Sequence, residues 1–125
     1  MEQFTNVVAE RSGLVLEQVD QVEACAAGWD ESRLWLCRMA PVLLGSTAAF
    51  LESDFSSLPP PPAEVAALVT TTADGATQTK TAAEAVRDCM AQQGDQYAPC
   101  EKEWSALASQ AVSLRNAWEG WSPLL

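Results

Sequence analysis

Two pairs of cysteines, each straddling a turn signal, constrain this chain more than any other feature. Cys89 and Cys100 enclose Gly94-Asp95 and Pro99. Gly and Asp end helices, and Pro suits the first turn of a new one. The interval predicts a helix ending near Gln93, a short turn, and a helix opening near Pro99. Cys25 and Cys37 enclose Gly28-Trp29-Asp30, where Asp30 is a good N-cap for a helix carrying Leu34 and Trp35. Cys25 and Cys89 are 64 residues apart, and Cys37 and Cys100 are 63 apart. The chain reads as two copies of one unit, helix–Cys–turn–Cys–helix, joined by Pro59 to Pro62.

The expected fold is therefore all-α: two tandem antiparallel helical hairpins, each stapled by one disulfide next to its turn, joined by a proline-rich linker. Residues 1–58 form the first hairpin, 59–62 the linker and 63–125 the second. A half of about 60 residues is too small to bury a generous core by itself. A bridge closing a loop of this size contributes about 3 kcal/mol in the chain-entropy model. The turn residues favour local bridges, Cys25–Cys37 and Cys89–Cys100. Spacing alone leaves Cys25–Cys100 with Cys37–Cys89 open. A zinc site built from all four cysteines is formally open too, although the usual C-x2–4-C spacing is absent.

Hydrophobic periodicity places the faces. In residues 5–27, Val8, Val15, Val19, Val22 and Ala26 form one stripe, and Ser12-Gly13 is a candidate break. From Ser32 to Phe55, the residues Leu34, Cys37, Pro41, Leu44, Ala48, Leu51 and Phe55 alternate steps of three and four, a seam for helix packing. Pro41 predicts a kink or a restart. Trp35, Val42 and Phe50 lie off that seam and imply a second apolar surface. The third segment, from Pro62 to Gln93, carries Val65, Leu68, Thr72, Ala76, Thr79, Ala83, Val86 and Met90, with a break expected near Asp74-Gly75. The fourth, Pro99 to Trp121, lines one face with Trp104, Leu107, Ala111, Leu114, Trp118 and Trp121.

Function classes narrow by exclusion. The chain has no histidine, which removes the commonest general base and metal ligand. No phosphate loop or cofactor fingerprint is present, and Glu101 and Glu103 read as solvent-facing. No catalysis and no cofactor are expected. With 17 acids against 7 bases, the net charge of −10 disfavours nucleic acid and favours protein partners with basic surfaces. Paired cysteines imply an oxidising compartment, yet the N-terminal residues have neither a secretory nor a matrix-targeting pattern. The apolar run Leu34–Leu51 is 18 residues long, near the lower limit for a membrane span. Arg38, Pro41 and Gly45 weaken it, so a peripheral protein is expected. Trp29, Trp35, Phe50 and Trp121 are the candidate partner-interface residues.

The paired-cysteine hairpins resemble the CHCH (coiled-coil-helix-coiled-coil-helix) family. The run Met90-Ala91-Gln92-Gln93-Gly94-Asp95, then Cys100-Glu101, with Trp118 and Trp121 downstream, looks like the second half of the CHCH subunit of cytochrome c oxidase. The tandem plan is similar to that of the twin-CHCH accessory subunit of complex I. Cys25/Cys37 and Cys89/Cys100 match that family's inner bridges; Val15, Thr47, Thr79 and Gln110 stand where its outer cysteines would. The resemblance implies a structural accessory subunit of a respiratory complex, complex I ahead of complex IV, in the mitochondrial intermembrane space and peripheral to the inner membrane. Trp118-Glu119-Gly120 also matches the W-x-G signature of small helical proteins exported by type VII secretion, which implies the alternative of a secreted bacterial interaction protein.

Overall fold

The computed structural model describes residues 1–125. Four helices make up the chain: α1 (Glu2–Ala26), α2 (Leu34–Ser56), α3 (Ala66–Gln93) and α4 (Glu101–Glu119). Each hairpin turn is local. Asp30 accepts a hydrogen bond from the Ser32 amide at 3.0 Å and opens a 3₁₀ turn, Glu31–Arg33, ahead of α2. Those bonds hold the Asp30 carboxyl below its ordinary pKa, the Ser32 hydroxyl first and its amide second. At the second turn α3 stops at Gly94, which adopts the left-handed conformation (φ 68°) that a residue without Cβ takes at little cost. Pro99 lies in the 3₁₀ turn Ala98–Cys100 that leads into α4.

The two disulfides are Cys25–Cys37 and Cys89–Cys100, with Cα atoms 5.5 and 5.9 Å apart, and no cysteine is left free. Each bridge closes one hairpin beside its turn. This is an all-helical, disulfide-stapled architecture consistent with the CHCH-like class. Where outer staples would lie, the helices meet by packing. Val15, Thr47 and Thr79 are buried, and the Thr79 hydroxyl donates to the Gln110 carbonyl at 3.3 Å.

The hairpins pack on each other. Every helix is antiparallel to two neighbours, in the ring order α1, α2, α3, α4. Cross-links between elements fix that register. Arg11 pairs with Asp54 across α1/α2 at 3.2 Å, and Lys80 pairs with Glu52 across α2/α3 at 2.9 Å. Arg115 reaches Asp20 and Glu23 across α4/α1. One apolar cluster of 25 buried residues draws on all four helices, so the linker joins two halves of a single core.

The two ends of the bundle differ. Both disulfides sit at one pole. There the Tyr97 hydroxyl donates to the Ala26 carbonyl at 2.8 Å, and Arg38 meets Asp95 at 3.6 Å. The opposite pole is closed by aromatics. Phe4, Phe55 and Trp121 stack with ring centroids 6.2 and 6.3 Å apart. Trp121 Nε1 donates to Thr72 Oγ1 at 2.9 Å, and that hydroxyl donates to the Leu68 carbonyl at 2.7 Å. Burial in a polar chain of this kind costs little, because each donor has an acceptor.

Several local expectations are corrected. Ser12-Gly13 does not break α1, and Asp74-Gly75 does not break α3. Gly13 faces open space, and the roughly 1 kcal/mol that a helical glycine costs is offset by the burial of Phe4, Val8 and Val15 around it. At Gly75 a Cβ would make only ordinary contacts, 3.5 Å from Leu114 Cδ1 and 3.6 Å from its Cα, so the helix is carried through this position by its packing against α4. α2 passes through Pro41 without a restart, with Pro41 buried on the core side. Trp121 is fully buried, which places it in the core rather than at a partner interface.

Trp121→Ala should lower unfolding free energy by about 3–5 kcal/mol, as expected for deleting a buried tryptophan. Trp35→Ala, at an exposed position, should stay within about 0.5 kcal/mol of wild type. Urea denaturation of the oxidised protein distinguishes the two.

Candidate interaction surface

α2 has a core side and an outer side, and both are largely apolar, the outer one interrupted by the exposed Ser46. The core side commits Cys37, Ala40, Pro41, Leu44, Ala48, Leu51 and Phe55 to the bundle. On the outer side Trp35 is 76% exposed, Phe50 55% and Leu43 40%. Met39 and Val42, half-buried, lie between them. No charged residue occurs from Met39 to Leu51. A helix that is apolar around most of its circumference is ordinarily covered on most of it, and here the bundle covers one side only. Within Glu31–Ser56 the most apolar 18-residue window has a mean hydropathy of 1.5, and this is the one stretch of helix long and apolar enough to cross a membrane. Only 39% of its most apolar window is buried in the bundle.

The borders of this face are charged. On the α1 side the Arg11 guanidinium lies over the Phe50 ring, 5.3 Å from its centroid, in cation–π geometry. On the α3 side a groove of about 380 Å³ runs between the helices. Pro41, Val42 and Met90 supply its apolar lining, and Arg38 and Arg87 stand over it. Further along, Lys80 pairs with Glu52. The Thr77 hydroxyl first and Lys80 second hold the Glu52 carboxyl below its ordinary pKa, and Glu52 raises that of Lys80.

The structure distributes the four candidate interface residues unequally. Trp35 and Phe50 share the exposed face of α2. Trp29 is half-buried at the stapled pole, edge-on to Tyr97 with centroids 6.2 Å apart. Trp121 lies at the other pole, inside. Tyr97, which sequence reasoning missed, ties the second turn to the end of α1. No local signal marked it, because its partner lies 71 residues away in sequence. Burial first and the nearby Glu101 second raise its phenol pKa.

The staples differ in access. Cys25 and Cys37 are both fully buried, whereas Cys89 is half-exposed beside a buried Cys100. Glu103 is not the solvent-facing acid expected: it is half-buried, and its Oε2 is buried without a hydrogen-bond partner. Donor atoms of Cys89, Cys100 and Glu103 lie within 4.8 Å of one another. Metal binding by cysteine requires thiolate, and both sulfurs are tied up in the bridge. The W-x-G residues, Trp118 to Gly120, close the end of α4; Trp118 is buried and Gly120 lies against Leu68.

No family model matches this chain, and neither a curated protein nor a solved structure matches it.

Two outcomes are expected. Under graded reduction with alkylation of the native protein, Cys89 and Cys100 should be labelled before Cys25 and Cys37, as read by mass spectrometry. Tyr97→Phe should cost about 1 kcal/mol at neutral pH, the net value of one hydrogen bond. Because the folded-state pKa of Tyr97 is raised, its contribution is complete below the unfolded value of about 10 and is lost as pH rises through the folded one. The gap between wild type and Tyr97→Phe should therefore narrow at alkaline pH in paired thermal melts.

Proposed function

We propose that this protein is a non-catalytic docking subunit of an oxidising compartment, held in shape by its two staples and attached through the outer face of α2. The observation that carries the reading is the exposure of Trp35 and Phe50 on a helix with no charge between Met39 and Leu51. Contiguous apolar surface of this kind marks interaction sites. The two disulfides support the compartment, since bridges of this sort persist where thiols are not kept reduced.

In its specific form the proposal is an accessory subunit bracing a respiratory complex from the intermembrane-space side of the inner membrane. What supports this form is the resemblance of the Cys89–Trp104 region to CHCH proteins, together with staples beside both turns. The acidic excess suits neighbouring subunits with basic surfaces.

The test is migration on a native gel of membranes solubilised from the source organism. Wild type should travel with a large assembly, and Trp35→Ser/Phe50→Ser should travel as the free chain. The double variant should keep the wild-type melting midpoint, because both side chains are exposed. Wild type migrating as the free chain would contradict the proposal.

A further inference from the structure

We propose that reduction of the Cys89–Cys100 bridge opens a zinc site in which Cys89, Cys100 and Glu103 are the protein ligands. The site uses no residue of the outer face of α2, so it stands apart from the docking reading.

Donor proximity is the first support. A carboxylate oxygen of Glu103 and both sulfurs lie within 4.8 Å of one another. Tetrahedral zinc with bonds of about 2.3 Å to sulfur sets two thiolates about 3.8 Å apart. Rotation about the Cα–Cβ bonds reaches that separation from Cα atoms 5.9 Å apart. Helix geometry explains the grouping. Cys100 immediately precedes α4 and Glu103 follows three residues on, so the two share the side that meets Cys89 on α3.

Glu103 itself is the second support. Its Oε2 is buried and has no hydrogen-bond donor, which carries a desolvation cost until something supplies a partner. A dication beside two thiolates supplies one. Access is the third. Cys89 is half-exposed, which leaves room for water as the fourth ligand, the open position of a three-ligand zinc site. The other bridge lacks these features: Cys25 and Cys37 are fully buried, and no acid is grouped with them.

The chemistry balances with a dithiol as reductant. Its thiolate attacks Cys89 Sγ, the exposed sulfur; a mixed disulfide forms and Cys100 leaves as a thiolate. The place of Cys100 before the N-terminus of α4 favours that thiolate. The second thiol of the reductant then displaces Cys89 and closes a cyclic disulfide. The bridge has gained two electrons and two protons, and the reductant has lost both. Zinc binding expels the two thiol protons. Two thiolates, one carboxylate and one Zn²⁺ leave a single negative charge. Re-forming the bridge by exchange with another disulfide removes both thiolates and releases the metal.

The experiment is a zinc titration of the full chain against a chromophoric chelator, after reduction with dithiothreitol and desalting without oxygen. One zinc per chain should bind the reduced protein, and none the oxidised. Co²⁺ in its place should give a thiolate-to-metal charge-transfer band in the near ultraviolet. Zinc should protect Cys89 and Cys100 from alkylation and leave the labelling of Cys25 and Cys37 unchanged. Glu103→Gln should keep the helical circular dichroism and weaken zinc binding by more than about tenfold, the loss that even an outer-shell partner causes. Unchanged affinity in Glu103→Gln, protection of all four cysteines, or no binding by the reduced protein would overturn the inference. So would a loss of helical signal on reduction that zinc does not restore.

Discussion

One apolar core shared by four helices is the constraint on which everything else depends. Neither hairpin has enough buried surface to stand well alone, and the core cluster takes residues from both. Antiparallel neighbours all around the ring give each helix two partners. The inward stripes of α1, α2, α3 and α4 thus converge, and most polar positions are left outside. The disulfides add stability by limiting the unfolded chain, about 3 kcal/mol for a loop of this length. Because they lie beside the turns, they also fix where each helix pair starts in register.

The two poles hold the bundle by different chemistry. At the stapled pole, covalent bridges combine with a single phenol–carbonyl hydrogen bond, Tyr97 to Ala26, that crosses from one hairpin to the other. At the opposite pole there is no disulfide, and the stack Phe4–Phe55–Trp121 joins α1, α2 and the end of α4. Thr72 supplies the acceptor that makes burial of the Trp121 indole inexpensive. Along the side of the bundle, the outer face of α2 exposes Trp35, Leu43 and Phe50.

Much of this was legible because periodicity reports burial directly. All six residues assigned to the α4 stripe are buried, as are six of the seven on the α2 seam, Leu34 being half-buried. The off-seam positions Trp35 and Phe50 are indeed the exposed ones. The errors came where local propensity or residue type was set against that pattern. Ser12-Gly13 and Asp74-Gly75 look like breaks in isolation, yet packing outweighs a cost of about 1 kcal/mol. Trp121 continues the α4 stripe, three residues after Trp118, and only the general preference of tryptophan for interfaces argued otherwise. Thr72 and Tyr97 were illegible as partners because each acts across a distance in sequence, 49 and 71 residues respectively. Phe4 and Gln18 were missed on α1, where the helix begins at Glu2 and buries both.

The central claim is that two local staples beside the turns hold a single four-helix core. Non-reducing peptide mapping by mass spectrometry, on protein from its native source, tests it most directly. Peptides bridged Cys25–Cys37 and Cys89–Cys100, and no others, are expected. Cross-hairpin bridges, Cys25–Cys100 with Cys37–Cys89, or four free thiols would contradict it.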